Sequence, residues 1–123
     1  MSLSNEALQK LVREIETQAV QAQQQITIVR SQAAGKQREM RLAQLTRKEL
    51  ESLPSDTSVY EGVGKMFVAE PVASLNGKLG KQIKTLESDV EGLGKRLHYL
   101  ETTAKNSQEH IAQILRRGGG QSA

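Results

Sequence analysis

The sequence predicts a mainly α protein: a long antiparallel two-helix coiled coil joined by a central β-hairpin, with the hairpin entering a β-barrel or sheet shared between subunits. Three observations predict it. Two stretches, one on either side of the middle, repeat apolar residues at alternating spacings of four and three, the coiled-coil period. Between them, Ser58-Val59-Tyr60-Glu61-Gly62-Val63-Gly64-Lys65-Met66-Phe67-Val68 gathers β-branched and aromatic residues around two glycines. Aromatics make up only 2% of the 123 residues and Trp is absent, while Ala, Leu, Gln, Glu, Lys and Arg abound, a composition suited to long helices and not to a bulky compact core.

The first helix is expected over 5–45. Ser4 or Asn5 caps its start, and Glu6 suits its positive end. Its seam runs Leu8, Val12, Ile15, Ala19, Ala22, Ile26, Val29 and Ala33, then Lys36, Met40 and Ala43. The alanines let a partner helix approach closely. Lys36 interrupts the seam, and Gly35 beside it weakens the helix by roughly 1 kcal/mol relative to Ala. A looser, wetter layer is expected there, with the lysine stem snorkelling to solvent. Thr46-Arg47-Lys48-Glu49 has the form of a capping box, which predicts a short extra helix near 47–52, set at an angle and ending before Pro54. Pro54-Ser55-Asp56-Thr57 is turn chemistry.

The segment 46–70 closes with the hairpin, its strands expected near 58–62 and 65–70. Gly62-Val63-Gly64 can supply the positive φ of a tight turn. Pro71 then suits the start of a helix over 71–117, since it has no N–H to lose there. The second seam runs Leu79, Ile83, Leu86, Val90, Leu93, Leu97, Leu100, Ala104, Ser107, Ile111 and Ile114. It is leucine-rich where the first is alanine-rich, so large packs against small. Gly77, Gly80, Gly92 and Gly94 each cost helix stability. The Gly92/Gly94 pair reads either as added bending freedom or as drift at solvent-facing positions. Arg116-Arg117 end the helix, and 118–123 form a flexible tail. Each seam spans five heptads, so each helix is on the order of 50–60 Å long. Folded antiparallel, they make 1–123 a single subunit-sized unit, with Leu8 level with Ile111 and both chain ends at the tip farthest from the hairpin.

A lone two-stranded hairpin is marginal in water, and its edges carry unpaired backbone groups. Here apolar residues also fall on both faces: Val59, Val63, Met66 and Val68 on one, Tyr60 and Phe67 on the other. One helix pair cannot cover two faces and two edges. Hairpins of several subunits joined together can, and the isolated chain is expected to fold poorly.

Composition narrows the function. Lys+Arg number 17 against 14 Asp+Glu, a net +3 with the signs interspersed, which reads as a solvated helical surface and not a nucleic-acid footprint. No apolar run reaches the roughly 18–20 residues of a membrane span, and Met1–Glu6 lacks the basic start and apolar run of a signal peptide. With no cysteines there is no disulfide framework or thiolate metal site. A cytoplasmic protein is expected, with the nucleus open to it by size. No phosphate-binding loop, HExxH or GxSxG motif is present. His98 and His110, twelve residues apart and without a third ligand, do not make a metal site. Glu87, Asp89 and Glu91 read as salt-bridge partners. No catalytic residue, cofactor or metal is assigned, and an enzyme is not expected.

Leu3, Leu8, Leu11, Val12, Ile111, Ile114 and Leu115 converge at the tip. Leu11 and Leu115 fall outside the strict seam, so pairing the helices does not bury them fully. They either close off a fraying coiled coil or form an exposed apolar patch for weak, sequence-tolerant contact with another protein.

The order helix, single hairpin, helix, with Tyr60-Glu61-Gly62-Val63-Gly64-Lys65-Met66-Phe67 between the seams, resembles the β-class subunits of the prefoldin family over nearly the whole chain. That resemblance implies a hetero-hexamer of two α-class and four β-class subunits whose hairpins build a double β-barrel. Val59, Tyr60, Val63, Gly64, Met66, Phe67 and Val68 would carry assembly. It further implies an ATP-independent co-chaperone whose tips hold unfolded client proteins, actin and tubulin among them, and hand them to the cytosolic chaperonin. The tip residues named above would make the client contact. The competing expectation is a coiled-coil structural adaptor that binds one specific folded partner. The glycines at 77, 80, 92 and 94 depart from a rigid arm.

Overall fold

The computed structural model describes residues 4–120, with side chains as far as 117. Leu3 and residues 121–123 of the expected tail lie outside them. The element order is α1 (Asn5–Glu51), β1 (Ser58–Val63), β2 (Met66–Pro71) and α2 (Val72–Gly120). The described chain falls into two compact units, one of residues 4–32 with 93–120 and one of residues 33–92.

In the first unit, an N-terminal stretch of α1 and a C-terminal stretch of α2 bury their seams. Ser4 is the cap: its Oγ accepts the Ala7 N–H at 3.2 Å, and its carbonyl accepts the Leu8 N–H at 2.9 Å. Ile15, Ala22, Ile26 and Val29 are buried, with Val29 only 1% exposed. The α2 seam residues Leu93, Leu97, Leu100, Ala104, Ser107, Ile111 and Ile114 are all half-buried. Arg30 Nη2 meets Glu101 Oε1 at 2.8 Å with both side chains largely in solvent, a pair worth about 0–1 kcal/mol.

In the second unit the seams run one heptad further than the sequence reading took them. Leu50 continues the Ala43 row and Val72 continues that of Leu79 and Leu86; Ala43, Leu50, Val72, Ile83 and Leu86 are buried. Burying an aliphatic side chain of this kind contributes roughly 1.5–3 kcal/mol. This corrects the expected short extra helix near 47–52. There is no break at Thr46: its hydroxyl donates to the Leu42 carbonyl at 2.8 Å, four residues back within a continuous α1. Burial of Leu50 outweighs the local capping preference of the Thr-x-x-Glu sequence. The helix ends instead at Glu51, where the Ser52 and Leu53 N–H groups donate to the carbonyls of Glu49 and Leu50 at 3.2 and 3.1 Å.

The polar interruption at Lys36 is accommodated as a half-buried position whose Nζ lies 3.7 Å from Asp89 Oδ2. A second polar layer follows at Arg47, one heptad after Met40, where Nε donates to Asn76 Oδ1 at 3.0 Å. The expected turn is present, with the Thr57 N–H donating to the Pro54 carbonyl at 3.0 Å. Pro71 closes β2 and does not open α2; the first helical residue is Val72, whose N–H donates to the Thr57 carbonyl at 3.2 Å. At the other end, α2 runs to Gly120, past the Arg117 end read from the sequence.

Candidate assembly hairpin and terminal cleft

The hairpin is a two-stranded antiparallel sheet in which Ser58 pairs with Pro71, Tyr60 with Ala69, Gly62 with Phe67 and Val63 with Met66. That register leaves Gly64-Lys65 as a two-residue turn. Gly64 has φ of 62° and is the sole residue with positive φ among those described, so the turn follows the pattern that places glycine at its first central position. Of the glycines read as turn residues, Gly64 fills that role. Gly62 sits within β1 and faces the Phe67 ring, whose nearest carbon lies 3.7 Å from where a Cβ would stand.

Alternation along the strands sorts the apolar residues by face. Tyr60 and Phe67 share one face and are 68% and 78% exposed; Val63, Met66 and Val68 lie on the other and are also exposed. Of the seven residues assigned to assembly, only Val59 is half-buried. Exposure of large apolar side chains on both faces, beside two unpaired strand edges, is the condition of a sheet that something else completes.

The second face also carries a charged cluster that the sequence reading missed. Lys78 Nζ donates to Glu61 Oε2 at 3.1 Å and to Glu70 Oε2 at 2.7 Å, tying both strands to the second turn of α2. Hydrogen bonding and charge from Lys78 hold the Glu61 carboxyl below the usual carboxylate range. Hydrogen bonds to Glu70 and Glu61 raise the Lys78 ammonium above its ordinary value. The Glu70 side chain is 11% exposed, and its Oε1 is buried without a hydrogen-bond partner. The available signal was the strand period: with Val59 and Glu70 paired, Glu61 and Glu70 must share a face.

In the first unit, near the start of α1, Leu8, Val12, Ile114 and Leu115 line a cleft of about 400 Å³ with Asn5, Gln9, Arg13 and Glu16. Leu115 is 58% exposed. Leu11 and Ile111 are half-buried and do not line this cleft. Leu3 lies outside the described residues. The structure thus brings together four of the seven residues grouped from the sequence. Both His98 and His110 are exposed. Among the described residues no group of three or more His, Cys, Asp or Glu is placed to hold a metal, and no helix is long and apolar enough to cross a membrane.

Comparison with known proteins decides the family. Residues 6–117 match the family described as prefoldin subunit. The chain belongs to the prefoldin family. Probable prefoldin subunit 1 of Schizosaccharomyces pombe is 37% identical over 107 residues, covering 87% of this chain and 96% of that one. Human prefoldin subunit 1 is 28% identical over 88% of each chain. The crystal structure of the prefoldin β subunit from Thermococcus strain KS-1 superposes with a TM-score of 0.80 at 30% identity, covering 86% of this chain and 93% of that one. Two long helices around a single antiparallel hairpin are therefore the prefoldin β fold, and the resemblance carried by the hairpin motif holds across the chain.

Proposed function

We propose that this chain is a β-class subunit of a prefoldin hetero-hexamer, a cytoplasmic, ATP-independent co-chaperone. The observation that carries the proposal is the uncovered hairpin, with apolar side chains exposed on both faces in a member of the prefoldin family. Val59, Tyr60, Val63, Met66, Phe67 and Val68 join the sheet of neighbouring α-class and β-class subunits, and Gly64 shapes the turn that presents them. The terminal cleft, with Leu8, Val12, Ile114 and Leu115, gives non-native polypeptides such as actin and tubulin a small, open apolar contact before their transfer to the cytosolic chaperonin. Leu11 and Ile111 extend that patch.

The native mass of the complex purified through this chain tests assembly. Six chains, with five other subunits of the same helix–hairpin–helix type, are expected; a monomer or simple homodimer would make the coiled-coil adaptor the better reading. Leu115→Asp tests client contact: capture of labelled, denatured actin by the intact hexamer should fall. Unchanged capture by that variant and by Leu8→Asp would remove the cleft from client binding.

A further inference from the structure

A second cleft, of about 410 Å³, lies in the second unit. Arg47, Asn76, Gly77, Gly80, Lys81 and Lys84 line it together with Ala73, and no carboxylate does. We propose that Arg47, Lys81 and Lys84 form a docking site here for an acidic, Asp- and Glu-rich stretch of a partner polypeptide.

The cationic groups are available. The Nε–H of Arg47 is held by Asn76 at 3.0 Å, which steadies the guanidinium and leaves its outer N–H groups free of carboxylate partners. Among the described residues, none of the three cations is in an ion pair. Glu51 stands four residues from Arg47, and Glu87 three from Lys84, yet neither pairs with them. Arg47, Lys81 and Lys84 share one cleft whose lining holds no carboxylate.

The glycines point the same way. In a helix interior each is less favourable than alanine. A Cβ added at Gly77 would meet nothing within 4 Å, so packing within the chain does not require glycine there. At Gly80 a Cβ would come 3.5 Å from Arg47 Nη1, an ordinary contact. What the two glycines leave is room between the cations.

The spacing selects the class of ligand. Lys81 and Lys84 are three residues apart on one helix face, about 5–6 Å between their Cβ atoms. Carboxylates repeat at similar distances along an acidic helix, or at alternate residues of a strand. A single compact phosphate would want backbone N–H donors, and those of Asn76, Gly77, Gly80, Lys81 and Lys84 are taken by carbonyls four residues back, which leaves only first-turn Ala73 to offer one. A nucleic acid would want a longer basic stripe, whereas the chain intersperses 17 basic with 14 acidic residues.

The test uses the chain assembled with its partner subunits and fluorescein-labelled octaglutamate, followed by anisotropy at low ionic strength. Saturable binding is expected, weakened about tenfold by Lys81→Ala/Lys84→Ala and weakened also by Gly77→Leu, which fills the cleft. Gly77→Leu should at the same time leave the thermal midpoint unchanged or raise it, because leucine favours the helix. Equal affinity in wild type and both variants would overturn the proposal. So would displacement of the peptide by inorganic phosphate or octathymidylate at lower concentration than by unlabelled octaglutamate. Capture of denatured actin, measured in the same variants, should not change, which separates a failure here from a failure of the terminal cleft.

Discussion

The helix seams and the hairpin treat the same kind of side chain in opposite ways. Ile26, Val29, Ile83 and Leu86 are buried, while Tyr60, Met66 and Phe67 stand in solvent. The difference follows from backbone geometry. A helix satisfies its hydrogen bonds internally and needs one apolar stripe covered, which a single partner helix does. A strand satisfies only one edge per neighbour, and a two-stranded sheet has two faces as well. The helical parts can therefore be completed within one chain, and the hairpin cannot. On the proposed function, the residues that carry assembly lie within the fourteen from Ser58 to Pro71.

The sharpest way to break this contrast is Phe67→Glu. It should abolish association with partner subunits, read as native mass, while helical circular dichroism of the chain is retained. An assembled variant would move the interface elsewhere. Next in size is Leu86→Ala in the buried seam, expected to destabilise by about 2–4 kcal/mol in chemical denaturation. A loss comparable to that of an exposed residue would mean that the seam collapses around the deletion.

Glycines sharpen the comparison further, because the same residue type serves different ends in the two regions. Gly64→Val forces a branched side chain into the left-handed region and should cost about 1–2 kcal/mol. Gly77→Ala, at an open helical position, should stabilise by up to about 1 kcal/mol. Paired thermal melts with shifts of the same sign would contradict the assignment.

The smallest expected effect is the pH response of the Lys78 cluster, which joins the hairpin to α2. The lowered Glu61 carboxyl contributes stability that is present above the ordinary carboxylate range and lost as pH falls through its depressed value. The raised Lys78 ammonium contributes stability that is present below the ordinary lysine range and lost as pH rises through its elevated value. The contribution is thus flat between about pH 5 and 10 and fades at both ends. Lys78→Met should lower stability within that window and flatten its edges. Parallel profiles for wild type and variant would show that the cluster is not coupled to folding.

Much of this was readable in advance. Leu8 to Val29 and Leu93 to Ile114 could be placed on seams because their spacing is a property of neighbours along the chain. The exposed faces of the hairpin followed from alternation at Tyr60, Val63, Met66 and Phe67. The terminal cleft was only partly legible: Leu115 could be seen to lie off the seam, but nothing in the spacing separated it from Leu11, which is half-buried outside the cleft. The misreading at Thr46 is of another kind. Thr-x-x-Glu is a true local preference for a helix start, and it lost to burial of Leu50, a contact that does not exist until the second helix is in place.

The sequence by itself determined the periodic features, two heptad seams and a glycine-turned hairpin, because such patterns are set by residues within a few positions of one another. Only the tertiary structure decided the pairings: Arg47 with Asn76, Lys36 with Asp89, Lys78 with Glu61 and Glu70, and the continuation of α1 to Glu51. These join residues 8 to 53 positions apart. Long polar side chains can reach many alternatives, and the packing of α2 selects one.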